Sequence, residues 1–109
     1  MAIKIEMLRC FHAVVDNGNL MQAATALGRT PSAVSMMLKQ FEDHIGAPLF
    51  EAGRKSRLTA LGAMIHAEAR RELIHFDKSV QMIEALAQSQ AVMVRLAVTP
   101  SAANTVLPP

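Results

Sequence analysis

Apolar residues recur through the first 45 positions at the spacing of helices that each bury one side. Leu8, Phe11 and Val15 fall at i, i+3 and i+7, with Met7 and Val14 beside them, which predicts a helix over Ile5–Asp16. Asn17-Gly18 ends it, since both residues accept the left-handed backbone of a helix stop. Asn19 then stands as an N-cap with Gln22 three residues on, the spacing of a capping box. Leu20, Ala23, Ala24 and Leu27 give the second helix a face of mostly small residues, over which another helix can cross closely; Gly28 breaks the run. Thr30-Pro31 opens a third helix, a hydroxyl cap followed by proline at the first helical position. Val34, Leu38, Phe41 and Ile45 line one face of it until Gly46 and Pro48. Two short helices joined by a tight glycine turn, the second entered through a hydroxyl cap, form a helix-turn-helix pattern.

After residue 48 the pattern changes twice. Leu49-Phe50 and Arg57-Leu58 bracket Glu51-Ala52-Gly53-Arg54-Lys55-Ser56, which predicts a short hairpin with a basic tip. Thr59 then caps a long helix to about Gln90. From Ala69 its apolar positions alternate steps of four and three: Ala69, Leu73, Phe76, Val80, Ile83 and Ala87 make a heptad seam suited to a homodimer. Leu61 and Ile65 lie on an earlier stripe that can dock back onto the helix-turn-helix. Ala91–Val98 alternates more like a strand, and with no second strand to pair it is expected to open a truncated further domain. The expected organisation is a winged helix-turn-helix over 1–58, a linker and dimerisation helix over 59–90, and the start of an effector-binding domain over 91–109. The fold class is mainly α, three helices plus a short β-hairpin wing followed by the long helix.

Composition narrows the classes of function. Apolar residues are 51% and aromatics 4%, so a core exists but must be built from aliphatic side chains, methionine and alanine. A net charge of +2 is only a weak basic bias, so an argument for nucleic acid has to rest on where the charges sit. The single Cys10 rules out an internal disulfide and suits a reducing cytoplasm. Lys4, Glu6 and Arg9 interrupt any early apolar run, so no signal peptide is expected, and no apolar stretch is long enough for a membrane span. His12, His44, His66 and His75 are scattered without ligand spacing, and Cys10 reads as a buried small hydrophobe. No metal, cofactor or catalytic constellation is expected, and an enzyme is disfavoured.

The third helix carries the sharpest site argument. At 100° per residue, Ser32, Ser35, Met36 and Lys39 point away from its apolar face. In a helix-turn-helix the second helix enters the major groove with its N-terminal residues at base edges. Two hydroxyls can donate or accept there, Met36 suits a thymine methyl, and Lys39 reaches a phosphate or guanine. Thr30 and Pro31 stand at the helix N-terminus, which itself attracts phosphate. Arg54, Lys55 and Arg57 on the hairpin are candidates for phosphates or the minor groove.

These residues resemble the N-terminal domain of the LysR-type transcriptional regulators. The likeness runs from about Met7 to Thr99. It is carried by Leu8 and Phe11, Gly18-Asn19-Leu20 with Ala23-Ala24 and Leu27, and Thr30-Pro31-Ser32-Ala33-Val34-Ser35 with Leu38 and Phe41-Glu42. Gly46-Ala47-Pro48-Leu49-Phe50 and Arg57-Leu58-Thr59 with Gly62 complete it. The resemblance implies a cytoplasmic homodimer paired through antiparallel linker helices, often tetrameric when intact, that binds a two-fold site on double-stranded DNA. It implies a small-molecule effector for the absent C-terminal domain only. It assigns base contact to Pro31, Ser32, Ser35 and Met36, and the minor groove to Arg54. Two departures stand out. Met36 occupies a position where the family commonly has Arg or another polar residue, which removes a bidentate guanine contact. The wing is about one residue shorter than usual, with Ala52 where Arg is frequent.

A winged helix of another regulator family, such as the molybdate-responsive type, is a related alternative; the heptad helix directly after the wing favours the LysR type. A different class of function is a protein-interaction or dimerisation module in which the Met36-Met37 surface meets a protein and no specific DNA readout occurs.

Overall fold

Local capping chemistry places the first three helices. Asn19 Oδ1 accepts the Gln22 N–H at 2.8 Å, which forms the forward bond of the expected box and starts α2 (Leu20–Leu27). Thr30 Oγ1 accepts the Ala33 N–H at 3.1 Å and starts α3 (Pro31–Ile45). Before them, α1 covers Ile5–Asn17 and ends at Gly18. The turn between α2 and α3 depends on Gly28, whose φ of 69° few side chains tolerate and which lets the Arg29 N–H reach back to the Ala24 carbonyl at 2.9 Å.

A short antiparallel hairpin follows, β1 (Phe50–Glu51) and β2 (Arg54–Leu58), with Phe50 opposite Leu58 and Glu51 opposite Arg54. The last element, α4, covers Ala60–Ala97. The computed structural model describes residues 2–97, with side chains as far as residue 90. The chain divides into two units, Met1–Ile74 and His75–Pro109, and α4 supplies residues to both.

The core of the first unit is assembled around Phe11. Its ring lies 5.5 Å from that of Phe41, and it makes edge contacts with Phe50 at 5.6 Å and His66 at 5.8 Å, so one side chain joins α1, α3, β1 and α4. Val14, Val34, Leu38 and Leu49 are buried around it, and Ala23 and Ala24 are buried where α2 packs. Ile65 packs against this core, as its position on the early stripe of the long helix predicts. Cys10 is buried too, its thiol donating to the Val34 carbonyl at 3.4 Å, and burial raises its pKa. It is a small core residue, as expected.

One bond ties the loop before the hairpin to α3, and two tie Thr59, just before α4, to that loop. The Leu49 N–H donates to Glu42 Oε2 at 2.9 Å. The Thr59 N–H donates to the Leu49 carbonyl at 3.0 Å, and the Thr59 hydroxyl donates to the Pro48 carbonyl at 3.0 Å. Thr59 Oγ1 also accepts the Gly62 N–H at 2.9 Å, which is the predicted cap of the long helix. Gly62 sits so close to the preceding loop that an added Cβ would lie 2.1 Å from the Leu49 carbonyl oxygen. The absence of a side chain at 62 therefore sets how tightly α4 seats on the wing.

Two expectations for the long helix need correction. It does not stop near Gln90: residues 91–97 continue α4, where a strand over 91–98 is predicted by the valine alternation. A strand there has no partner for its backbone groups, whereas each residue added to an existing helix gains its own hydrogen bond. Val98 and the remainder of the expected further domain lie outside the described residues. The seam also divides. Ala69 and Leu73, 3% and 6% exposed, are buried within the first unit, whereas Phe76, Val80, Ile83 and Ala87 lie in the second. Among the described residues, no helix is long and apolar enough to cross a membrane.

Candidate nucleic-acid interface

The two sides of α3 differ sharply. Val34, Leu38 and Phe41 are buried, while Thr30, Pro31, Ser32, Ser35, Met36 and Lys39 are all exposed. Met36 is 64% exposed, a large apolar side chain held in solvent on the face opposite the core. The face combines hydroxyls, a thioether and one cation, and it begins at a helix N-terminus, whose dipole favours an anion. Such a set can hydrogen-bond base edges, meet a thymine methyl and neutralise a phosphate.

The hairpin sorts its basic residues. Arg54 and Arg57 are exposed. Lys55 is half-buried, its Nζ 5.3 Å from the centre of the Phe50 ring. A cation over a ring face is held by the ring's negative π cloud, so Lys55 is partly engaged by the wing's own packing. Arg54 opens β2 directly after the Ala52-Gly53 turn and is the cation nearest the tip. Arg29, in the turn between α2 and α3, is exposed as well; a lone turn arginine carries no periodic signal that would mark it.

These features decide between families once compared with known proteins. The model of the bacterial regulatory helix-turn-helix proteins of the lysR family matches residues 5–63, more than half of the chain. The chain belongs to the LysR family. Curated LysR-family relatives include the probable HTH-type transcriptional regulator YhaJ of Escherichia coli K12, 34% identical over 88 residues, covering 80% of this chain and 30% of that protein. The probable HTH-type transcriptional regulator LrrA of Synechococcus elongatus is 35% identical over 108 residues, covering 98% of this chain and 37% of that protein. The chain thus spans about a third of the length of the curated relatives it matches. Among solved structures, the BenM_DBD/catB site 1 DNA complex aligns with a TM-score of 0.74 at 26% identity, covering 81% of this chain and 96% of that one. The CbnR_DBD–DNA complex aligns with a TM-score of 0.69 at 28% identity, covering 78% and 99%. The winged helix-turn-helix with a long helix behind it is therefore the LysR-family arrangement.

The second unit of this LysR-family chain holds the rest of the predicted seam. Phe76, Ile83 and Ala87 are exposed and Val80 is half-buried. Met82 and Leu86, at the same helical turns, are exposed beside Ile83 and widen the apolar stripe beyond the heptad positions.

One pairing escaped the sequence altogether. His12 and His66 are not scattered: His12 Nδ1 lies 3.0 Å from His66 Nε2 across 54 residues of sequence. No spacing rule signals a contact between residues on helices so distant in the chain. His44 and His75 are exposed. Among the described residues, no group of three or more His, Cys, Asp or Glu side chains is arranged to hold a metal ion.

Proposed function

We propose that this chain is the DNA-reading head of a transcription regulator, acting as a homodimer on a two-fold site in double-stranded DNA. The observation that carries the reading is the exposed face of α3, which offers Ser32, Ser35, Met36 and Lys39 opposite a fully buried stripe. In this reading α3 enters the major groove, Thr30 and Pro31 bring the helix N-terminus to a phosphate, and Met36 meets a thymine methyl. Arg54 reaches the minor groove, Arg57 a phosphate, and Lys55 supplies positive charge from the inner side of the wing. Two copies join through Phe76, Val80, Ile83 and Ala87 of α4. DNA complexes of BenM and CbnR domains with the same fold support the assignment. Such a regulator works where the chromosome is, in the cytoplasm, and a small-molecule effector would bind a part of the intact protein beyond these residues.

Selection from a randomised DNA pool at moderate salt tests this. An inverted repeat is the expected product, because a symmetric dimer reads two half-sites about one helical turn apart. Recovery of no sequence by a folded, dimeric chain would overturn the reading. The exposure of Met36 and Met21 favours one second reading, a surface for another protein. A salt titration separates the two: binding through several phosphates weakens steeply with salt, whereas an apolar contact hardly responds.

A further inference from the structure

α1 and α4 meet at a contact of unusual chemistry. The rings of His12 and His66 are nearly parallel, 12° apart, with centroids 5.2 Å apart and the facing nitrogens at 3.0 Å. That is the geometry of a single N–H···N hydrogen bond, one imidazole donating and the other accepting. Phe11 packs its edge against His66 at 84°, so the pair sits at the margin of the core and not out on the surface. Both rings are half-buried.

We propose that His12 and His66 form a proton-operated latch that fastens α4 to α1 and releases in mild acid. A hydrogen bond between two imidazoles requires one facing nitrogen to be bare. A first proton can enter on the outward nitrogen of the donating ring and leave the bond in place. A second must sit on the accepting nitrogen, which sets two N–H groups head-on and two positive charges side by side. Protonating both facing nitrogens therefore breaks the bond.

The surrounding charges act in the same sense on balance. Burial, the neighbouring His12 and Arg70 one turn along α4 all hold the His66 pKa below its ordinary value, and Asp16 on α1 opposes them. Arg9 and Asp16 share a hollow with His12, to which α2 contributes only Ala26 and Leu27, neither titratable. The unfolded chain has no such pairing and takes up protons in the usual histidine range, about 6.5. Below that pH it binds more protons than the folded chain, so stability is fully present above this range and is lost as the pH falls through it.

The test is a titration of the histidine ring protons of the 109-residue chain by NMR, with the exposed His44 and His75 as references in the same sample. His66 is expected to titrate at lower pH than both references, and in His12→Gln it should move up towards them. Thermal unfolding gives a second readout. Between pH 7.5 and 5.5 the wild type should lose several degrees of Tm, on the order of 5 °C, while His66→Gln loses less than half as much. Should His12→Gln not fold, Arg70→Gln replaces it and should raise the His66 midpoint by a smaller step. A wild-type His66 that titrates together with His44 and His75 would overturn the latch, as would an equal acid loss of Tm in His66→Gln.

Discussion

α3 and the part of α4 beyond residue 74 carry the same kind of apolar stripe and use it in opposite ways. In α3, Val34, Leu38 and Phe41 are buried within the first unit, and only the opposite face is left for solvent or a partner. In α4, Ile83 is 63% exposed and Met82 and Leu86 are similarly open, while Phe76 is 38% exposed. The first unit has enough chain to cover its own stripes; a lone stretch of helix does not. The head thus buries its own stripes, whereas the far stripe of α4 stays exposed and is the surface proposed above for the dimer. The boundary lies within a single heptad run, between Leu73 and Phe76, where periodicity alone shows no break.

Breaking the core should have the largest effect. Phe11→Ala removes the ring that joins four elements and is expected to cost about 3–5 kcal/mol, read from urea unfolding followed by circular dichroism. A loss below about 1 kcal/mol would contradict the placement of Phe11 at the centre.

Breaking the other side of the comparison should leave the head intact. Ile83→Asp puts a charge in the proposed dimer stripe and should weaken self-association by about a hundredfold or more. Sedimentation equilibrium reads the dimer, and an unchanged urea midpoint for the head shows that folding is spared. A dimer of undiminished strength would remove Ile83 from the seam.

Gly62→Ala probes the seat of α4 on the wing. Alanine favours a helix over glycine by about 1 kcal/mol, so on an open helix face the change would stabilise. Here the new Cβ meets the Leu49 carbonyl oxygen, a backbone atom that cannot swing aside, and a net loss of about 2 kcal/mol is expected. An increase in Tm would show that the seat is looser than the geometry gives.

The smallest effects sharpen the division of labour on the DNA face. Ser35→Ala should relax base preference by about 1 kcal/mol at one position of the selected site. Arg54→Ala should weaken all sequences alike and lower the salt slope by about one. If neither changes binding measured by fluorescence anisotropy, the groove face lies elsewhere.

Much of the head was legible because its signals are local. Asn19 and Thr30 cap helices through bonds that span three residues, and each apolar stripe of the first three helices repeats within one helix. The exposed set on α3 follows from the same periodicity once its buried face is known. The apolar pairs around a basic tip placed the wing and Thr59 the cap of the long helix, and the contacts of Glu42, Leu49 and Gly62 show how the two are held together.

The sequence by itself determined where the first three helices begin and end, which side of each is apolar, and that a basic hairpin and a long heptad helix follow. Only the tertiary structure decided which neighbour each apolar or charged group meets. It buried Ala69 and Leu73 within the first unit, turned Lys55 toward the Phe50 ring, continued α4 through residues 91–97, and brought His12 to His66. Caps and periodicities are short-range chemistry and can be read along the chain. Contacts between elements depend on how whole faces pack, and that information is spread over residues too far apart for any spacing to reveal.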